Sequence, residues 1–411
     1  MEIFTIITVL IIFSAFFGYI NVRFLDMPNS IGLMVITLVF TMIVLAVGYF
    51  DTTLLEKERA FIQQIDFKTV LLDIMLSFLL FAGAMHTNFQ QLKLQRKPIL
   101  AFATMGTLVS TFLTATFVFT ILKIVQLDVD FIYCLLFGAL ISPTDPIAVL
   151  GIMKKVGAPK KLETNIIGES LFNDGVGVVI FVTIYEIAEA GLEHASVMAV
   201  FELFLLEVVG GLLLGVLLGG ITYGLLKSID DYDTEVVITI ATVMGGTSIA
   251  HYLHLSAPLA MVAAGLVVGN DTIRQTSMSE ITEQYVDKFW ELIDILFNTI
   301  LFVMIGMELL MLTFNGRYML AGLLTIPLLL FARYLSLLLP VRIYARRLNF
   351  VENTTAIMTW GGLRGGISIA LALSLTPLME RELFLVMTYV IVVFSIIVQG
   401  LTMGKVIKKL T

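Results

Sequence analysis

The stretch Gly168-Glu169-Ser170-Leu171-Phe172-Asn173-Asp174-Gly175 sets two carboxylates into an otherwise apolar run. At helical spacing Ser170 and Asp174 are i and i+4, so their oxygens share one face, and Glu169 with Asn173 forms a neighbouring pair of the same kind. Oxygen donors of this type suit a hard cation. A further acid, Asp145, stands between two prolines in Ile141-Ser142-Pro143-Thr144-Asp145-Pro146. Each proline removes a backbone donor and disfavours helix in the residue before it, so a helix passing through here must open. Carbonyls released near Thr144 would then join Asp174 and Ser170 as ligands. Two arginines complete the inventory. Arg364 lies among the glycines of Trp360-Gly361-Gly362-Leu363-Arg364-Gly365-Gly366, and Arg333 lies in an apolar run. Ionisable groups deep inside such runs are rare and usually functional.

The charges sort into roles. An opened helix exposes backbone dipoles, positive at one half-helix end and negative at the other. Asp145 is read as offsetting the positive ends while also lying near the ion, and Arg364 as offsetting the negative ends. Glu169 and Arg333 are read as an ion pair, because either charge alone in an apolar interior is expensive. That leaves Asp174. Burial favours the neutral form of a carboxylic acid, whereas a nearby cation favours the ionised form. One aspartate in a wet cavity can therefore hold a proton or a monovalent cation, but not both. Such competition drives exchange if the loaded site faces alternate sides. Asp73, Glu202, Glu207, Asp294 and Glu308 fall nearer predicted span ends and read as interfacial or packing groups. His251 and His254 read as solvated or hydrogen-bonded. Gly211, Gly215 and Gly219 read as a close helix contact. Neither Gly-x-Gly-Asp nor His-Glu-x-x-His occurs, and Ser248 with His251 reads as chance spacing, so an intramembrane protease is disfavoured. Charges in paired helix breaks favour a carrier over a passive channel.

These residues must be held by an all-α integral membrane fold. The 411 residues are 58% hydrophobic and 14% charged, with mean hydropathy +0.98. Soluble domains carry about 25% charged residues, so lipid must be the solvent. The single cysteine, Cys134, excludes a disulfide within the chain and a thiolate cluster. The first residues read as a membrane span and not a signal peptide, and no sizeable soluble domain is expected. Runs of about 20 apolar residues suffice to cross a bilayer. They suggest about thirteen spans, at 2–20, 31–50, 70–90, 99–122, 131–153, 165–188, 200–226, 234–252, 256–271, 289–312, 319–341, 354–376 and 383–406. The uncharged stretch Val236–Asn270 would be about 52 Å long as one helix, and Pro258 supports a hairpin within it. Most of the 25 Lys and Arg residues fall in one set of loops, including Lys93, Arg96, Lys97, Lys154, Lys155, Lys160, Lys161, Arg342, Arg346 and Arg347. The other set holds few, including Lys57 and Arg59. The positive-inside rule then gives an external N-terminus and a cytoplasmic C-terminus. The interrupted spans, fifth and twelfth, run oppositely through the membrane, as two inverted repeats require. Paired interruptions of this kind point to a transporter's midplane site.

The motifs Thr144-Asp145-Pro146, Gly168-Glu169-Ser170-Leu171-Phe172-Asn173-Asp174, Ala332-Arg333-Tyr334-Leu335 and Gly361-Gly362-Leu363-Arg364-Gly365 span the chain in order. Together they resemble the sodium/proton antiporters of the cation:proton antiporter superfamily, in the branch of the NhaP-type proteins and animal Na⁺/H⁺ exchangers. The resemblance implies a homodimer and two crossed, interrupted helices in an ion-binding core. That core would be residues 99–188 and 319–406, moving against dimerisation-side helices at 1–90 and 200–312. It implies Asp174 as the carrier carboxylate, Ser170 and the Thr144 backbone as ligands, Asp145 nearby, and a Glu169–Arg333 pair. Asn173 stands where the electrogenic branch has a second aspartate, so electroneutral exchange is expected. Leu80-Phe81 is followed by Ala82, where some members carry a glutamate ligand. Na⁺ is the expected cation, with Li⁺ as a further substrate and K⁺/H⁺ exchange on the same scaffold as the alternative. No resident cofactor and no nucleic-acid partner are expected. Na⁺ and H⁺ are cargo, the lipid bilayer is the surrounding partner, and the cell (inner) membrane is the expected location.

Overall fold

A computed structural model describes residues 3–50, 66–191, 197–270, 274, 279–312, 315–348 and 350–410. Lys57 and Arg59 lie outside the described residues, as do the side chains of Asp73, Arg346 and Arg347. Among the described residues the regular structure is helical, with β pairing confined to one isolated bridge. In hydrocarbon no water satisfies the backbone, so each spanning segment must close its own hydrogen bonds.

In chain order the α-helices of eight residues or more are α1 (Ile3–Ile20), α2 (Asn29–Phe50), α3 (Leu76–Met85), α4 (Thr107–Ile124), α5 (Phe131–Ile141), α6 (Ile147–Val156), α7 (Lys160–Ala190) and α8 (Val197–Leu226). They continue as α9 (Tyr232–Tyr252), α10 (Ala257–Val268), α11 (Glu280–Glu308), α12 (Gly316–Leu348), α13 (Thr354–Gly361), α14 (Gly366–Leu373), α15 (Arg381–Phe394) and α16 (Gly400–Leu410). Among the described residues, 8 helical stretches are long and apolar enough to cross a membrane, and Thr69–Met85, Phe131–Ile141 and Ala257–Val268 are shorter apolar helices. Helix occurs at every predicted span, but several boundaries differ. Helix α11 begins at Glu280, well before the predicted start at 289, and α12 runs from Gly316 through Pro327 and Pro340 to Leu348. Hydropathy marks the part of a helix that meets lipid, whereas polar turns carry the same helix further. The hairpin expected at Pro258 is present. Ser256 caps α10 by accepting from the Leu259 N–H, with Pro258 in the first turn, and His254 turns the chain at φ 53°.

Packing forms a large cluster and two smaller ones. The large one joins Phe137 and Leu140 of α5, Ile166 and Ile180 of α7, Ile357 of α13, Leu371 of α14 and Phe384 of α15, and it extends to α2 and to Leu301 and Phe302 of α11. The rings of Phe137 and Phe384 stack with centroids 5.1 Å apart. A second cluster joins Phe81, Leu226, Val243, Met261 and Trp290 of α3, α8, α9, α10 and α11. A third, with Leu80, Ile99, Leu171 and Val262, lies along the seam where α3 and α10 meet α7. The glycine stripe of α8 faces α10. A Cβ on Gly211 would stand 2.7 Å from the Ser256 carbonyl oxygen, and one on Gly219 would stand 2.7 Å from Val267 Cβ. These glycines let the two backbones touch, as small-residue stripes do in membranes.

Candidate functional site

The breaks between α5 and α6 and between α13 and α14 meet. Asp145 and Leu363 form the antiparallel bridge, with the Asp145 N–H donating to the Leu363 carbonyl at 2.8 Å. A Cβ on Gly365 would stand 2.5 Å from Asp145 Oδ2 and 2.9 Å from its Cβ. Glycine at 365 is therefore what allows the two breaks to cross so closely. The crossing also sets the Asp145 carboxylate beside the N-terminal end of α14, where dipole and free N–H groups favour negative charge. Arg364 does the converse. Its Nη1 donates to the carbonyls of Ser142 at 2.6 Å and Pro143 at 2.8 Å, just past the C-terminal end of α5, and its own N–H donates to Ser395 Oγ at 2.9 Å. Two of the carbonyls expected to be open for a cation are thus already taken. A buried guanidinium with five donors competes for the nearest orphan acceptors.

Helix α7 supplies the remaining chemistry. Thr144 Oγ1 and Ser170 Oγ share a hydrogen bond of 2.9 Å. Asn173 Nδ2 donates to Thr144 Oγ1 at 2.9 Å, and Asn173 Oδ1 accepts from the Thr144 N–H at 3.3 Å. Ser170 and Asn173 therefore grip Thr144 from behind and hold the opened loop. On the other side of that grip Asp174, Thr144 and Asp145 line a cavity of about 1080 Å³, whereas Ser170 and Asn173 are not among its lining residues. Gly177 makes the approach possible, because a Cβ there would run into the Pro143 ring. Glu169 is turned away from this cluster. Arg333 of α12 meets it in a two-pronged pair, Nη1 to Oε1 at 2.5 Å and Nη2 to Oε2 at 2.7 Å, with side chains only 3% and 2% exposed. A Cβ on Gly362 would stand 2.9 Å from Arg333 Nε, so the second helix break also makes room for this guanidinium.

The cavity reaches the polar ends of several helices. Leu79, Leu80 and Gly83 of α3, Lys154 of α6, and Asp287, Glu291, Asp294 and Asn298 of α11 all border it. Ala82, in contrast, is fully buried and brings no acid. Asp294, read from the sequence as an interfacial or packing group, lies at the middle of α11, where its polar turns give way to the apolar ones, and it borders the same cavity as Asp174. The spacing of Glu291, Asp294, Asn298 and Leu301 was the available signal, since steps of three and four trace one helix face. Ser248 Oγ donates back to the Met244 carbonyl at 2.9 Å, and His251 and His254 are exposed.

The family model described as "Sodium/hydrogen exchanger, transmembrane" matches residues 12–409. The chain belongs to the sodium/hydrogen exchanger family. It is 45% identical over 397 residues to the Na⁺/H⁺ antiporter NhaP of Pseudomonas aeruginosa, covering 95% of this chain and 93% of that protein. It is 33% identical over 393 residues to the Na⁺/H⁺ antiporter NhaH of Halobacillus dabanensis, covering 94% and 93%. The fold matches the sodium proton antiporter MjNhaP1 of Methanocaldococcus jannaschii with a TM-score of 0.77 at 20% identity, covering 100% of this chain and 99% of that one. The all-helical architecture with crossed, interrupted helices is the fold of that antiporter. The family is one of multi-pass membrane antiporters that exchange Na⁺ for H⁺.

Proposed function

We propose that this chain exchanges one Na⁺ for one H⁺ at Asp174 and moves no net charge. The observation that carries the reading is the division of labour on α7. Asp174 borders the cavity, while Glu169 is held in a two-pronged pair by Arg333. Thr144 and Asp145 border the cavity beside Asp174 and extend its oxygen set, and Ser170 and Asn173 orient Thr144. Asn173 cannot ionise, so of the two buried carboxylates of the helix, Glu169 and Asp174, one remains to be exchanged. Burial favours the protonated acid and an arriving cation favours the carboxylate, so each loading expels the other ion. Li⁺, also a small hard cation, is expected to share the site, and K⁺/H⁺ exchange is the second reading. No resident cofactor is needed, since Na⁺ and H⁺ are substrates.

The reading extends to the molecule. Residues 99–188 and 319–406 form the moving core, and residues 1–90 and 200–312 form the side that pairs in a homodimer. The buried cluster around Trp290 draws only on the second group and supports its packing as a unit, whereas the cluster around Phe137 joins the two groups through α1, α2 and α11. Exposed apolar residues on α1 and α8, including Phe4, Ile12, Phe16, Leu213 and Leu217, suit lipid or a second copy. About thirteen crossings, an external N-terminus and a cytoplasmic C-terminus in the cell membrane follow from the positive-inside rule. The experiment is proton flux in proteoliposomes driven by Na⁺, Li⁺ or K⁺ gradients. Asp174→Asn is expected to abolish flux with all three while leaving an assembled protein, and substantial Na⁺-driven flux in that variant would sink the assignment.

A further inference from the structure

One strongly charged face stands outside the exchange site. It lies where α6 and α16 end, on the side that the positive-inside rule puts in the cytoplasm. The two ends are packed together. A Cβ on Gly404 would stand 3.3 Å from Val156 Cγ1 and 3.4 Å from Ile152 Cγ2, and Met403 and Ile407 are buried in one cluster with Ile152 and Met153. Asn353 Nδ2 donates to the Leu410 carbonyl at 3.2 Å and so holds the last turn of α16 in place. Beside this seam stand Lys155 on α6 and Lys405, Lys408 and Lys409 on α16, all exposed. Lys154 and Lys160, by contrast, border the cavity.

The protein does not neutralise these lysines itself. Neither α6 nor α16 contains an acid. Among the described residues no carboxylate, including Glu163 and Glu352, lies within ion-pair distance of the four. The excess is local, because the whole chain has a net charge of −7. Dipole compensation uses only part of it. Each helix C-terminus carries about half a negative charge, so two ends offset roughly one lysine. Placement then points to the partner. Leu401, Lys405 and Lys408 stand at i, i+4 and i+7, on one face of α16. Leu401 is 47% exposed, and on a membrane-spanning helix such a leucine meets acyl chains. One turn later the same face becomes basic. There a lysine stem follows the apolar surface while its ammonium reaches the headgroups.

We propose that the paired ends of α6 and α16 bind an anionic phospholipid of the cytoplasmic leaflet. Its phosphate is held among Lys155, Lys405, Lys408 and Lys409, and an acyl chain lies along Leu401. Basic clusters of this size, just inside a membrane helix, attract anionic headgroups. A zwitterionic lipid brings its own ammonium group and gains little from four more. The site is separate from Asp174 and does not depend on which cation is carried. Its place still bears on transport. Helix α6 begins directly after Pro146, so a lipid held at its far end fastens the segment that carries Asp145 to the membrane surface.

The molecule carries its own reporter. Trp360 of α13 donates through Nε1 to Thr402 Oγ1 of α16 at 2.9 Å, one turn before Lys405. Trp290, the other of the 2 tryptophans, is fully buried in a different cluster. The full chain is placed in phosphatidylcholine bilayers with a small fraction of dibrominated phosphatidylglycerol or dibrominated phosphatidylcholine. Quenching of Trp360 then gives their relative affinity. Phosphatidylglycerol is expected to bind about tenfold more tightly, the return of one to two lysine–headgroup contacts. Lys155→Gln/Lys405→Gln/Lys408→Gln should abolish the preference, and Lys155→Arg/Lys405→Arg/Lys408→Arg should keep it. Lys93→Gln/Arg96→Gln/Lys97→Gln removes as much charge from another cytoplasmic turn and should also keep it. Equal quenching by the two lipids overturns the site. So does a preference that survives the first triple, or one that the Lys93 triple removes as well, because cytoplasmic charge in general would then explain it. Quenching abolished by soluble glycerol 1-phosphate would assign the face to a free phosphate. Emission moved by poly-glutamate and not by phosphatidylglycerol would assign it to an acidic protein segment. Either result overturns the lipid.

Discussion

Glu169 and Arg333 are both nearly sealed from solvent and meet through two parallel hydrogen bonds. Breaking a buried pair by removing one partner leaves an uncompensated charge and costs about 3–5 kcal/mol. Glu169→Ala and Arg333→Ala are each expected to lower thermal stability by that order. Replacing both with apolar residues should recover part of the loss, because neither charge then remains to be solvated. A double-mutant cycle read from detergent-stable melting curves checks this, and strictly additive losses would mean that the residues are not a pair. The sequence made this pair legible, since two opposite charges in apolar runs have few other ways to persist. It did not make Asn298 legible. An asparagine in a helix gives no sign of which of its atoms will lack a partner, and that depends on what α11 faces.

At the scale of elements, the two interruptions depend on each other. The end of α5 presents the Ser142 and Pro143 carbonyls, and Arg364 from the other break is their donor. A buried acceptor left unmade costs roughly 1–3 kcal/mol. Arg364→Met should therefore destabilise the protein by roughly 2–6 kcal/mol for the two carbonyls together, and Arg364→Lys should restore part of it through one donor. Melting temperature checks both, and an unchanged value in Arg364→Met would mean that the dipole role is wrong. Prolines and glycines announced both breaks in the sequence. That they touch, with Gly365 against Asp145, is a matter of how two distant helices cross. The same limit hid the place of Asp294 on the cavity. Hydropathy drew the start of α11 too late, because its first turns are polar while still helical.

The whole molecule turns the site into an exchanger, and its stoichiometry is testable at that scale. On the proposed one-for-one exchange, with Asn173 uncharged and Glu169 held by Arg333, transport should not respond to voltage. A second travelling acid would couple transport to about 2.3 kcal/mol per charge per 100 mV. Liposomes clamped with valinomycin and K⁺ under a fixed Na⁺ gradient make the measurement. A rate that follows the imposed potential would show that another group carries protons, and Asp145 would be the first to substitute.

Composition, span spacing and four short motifs determined the solvent, the helical class, the two breaks and the residues at them, because each follows from local physics. Lipid demands apolar runs, proline and glycine open helices, and a buried charge needs a reason. The tertiary structure decided which oxygens face the cavity and which are spent on each other. Ser170 and Asn173 lie close to Asp174 in sequence, yet their side chains close on Thr144. Asp294 and Asn298 lie far away in sequence, yet they border the same cavity. Hydrogen-bonding capacity is limited, so an atom's availability to an ion depends on every neighbour that reaches it first, and those neighbours come from other helices.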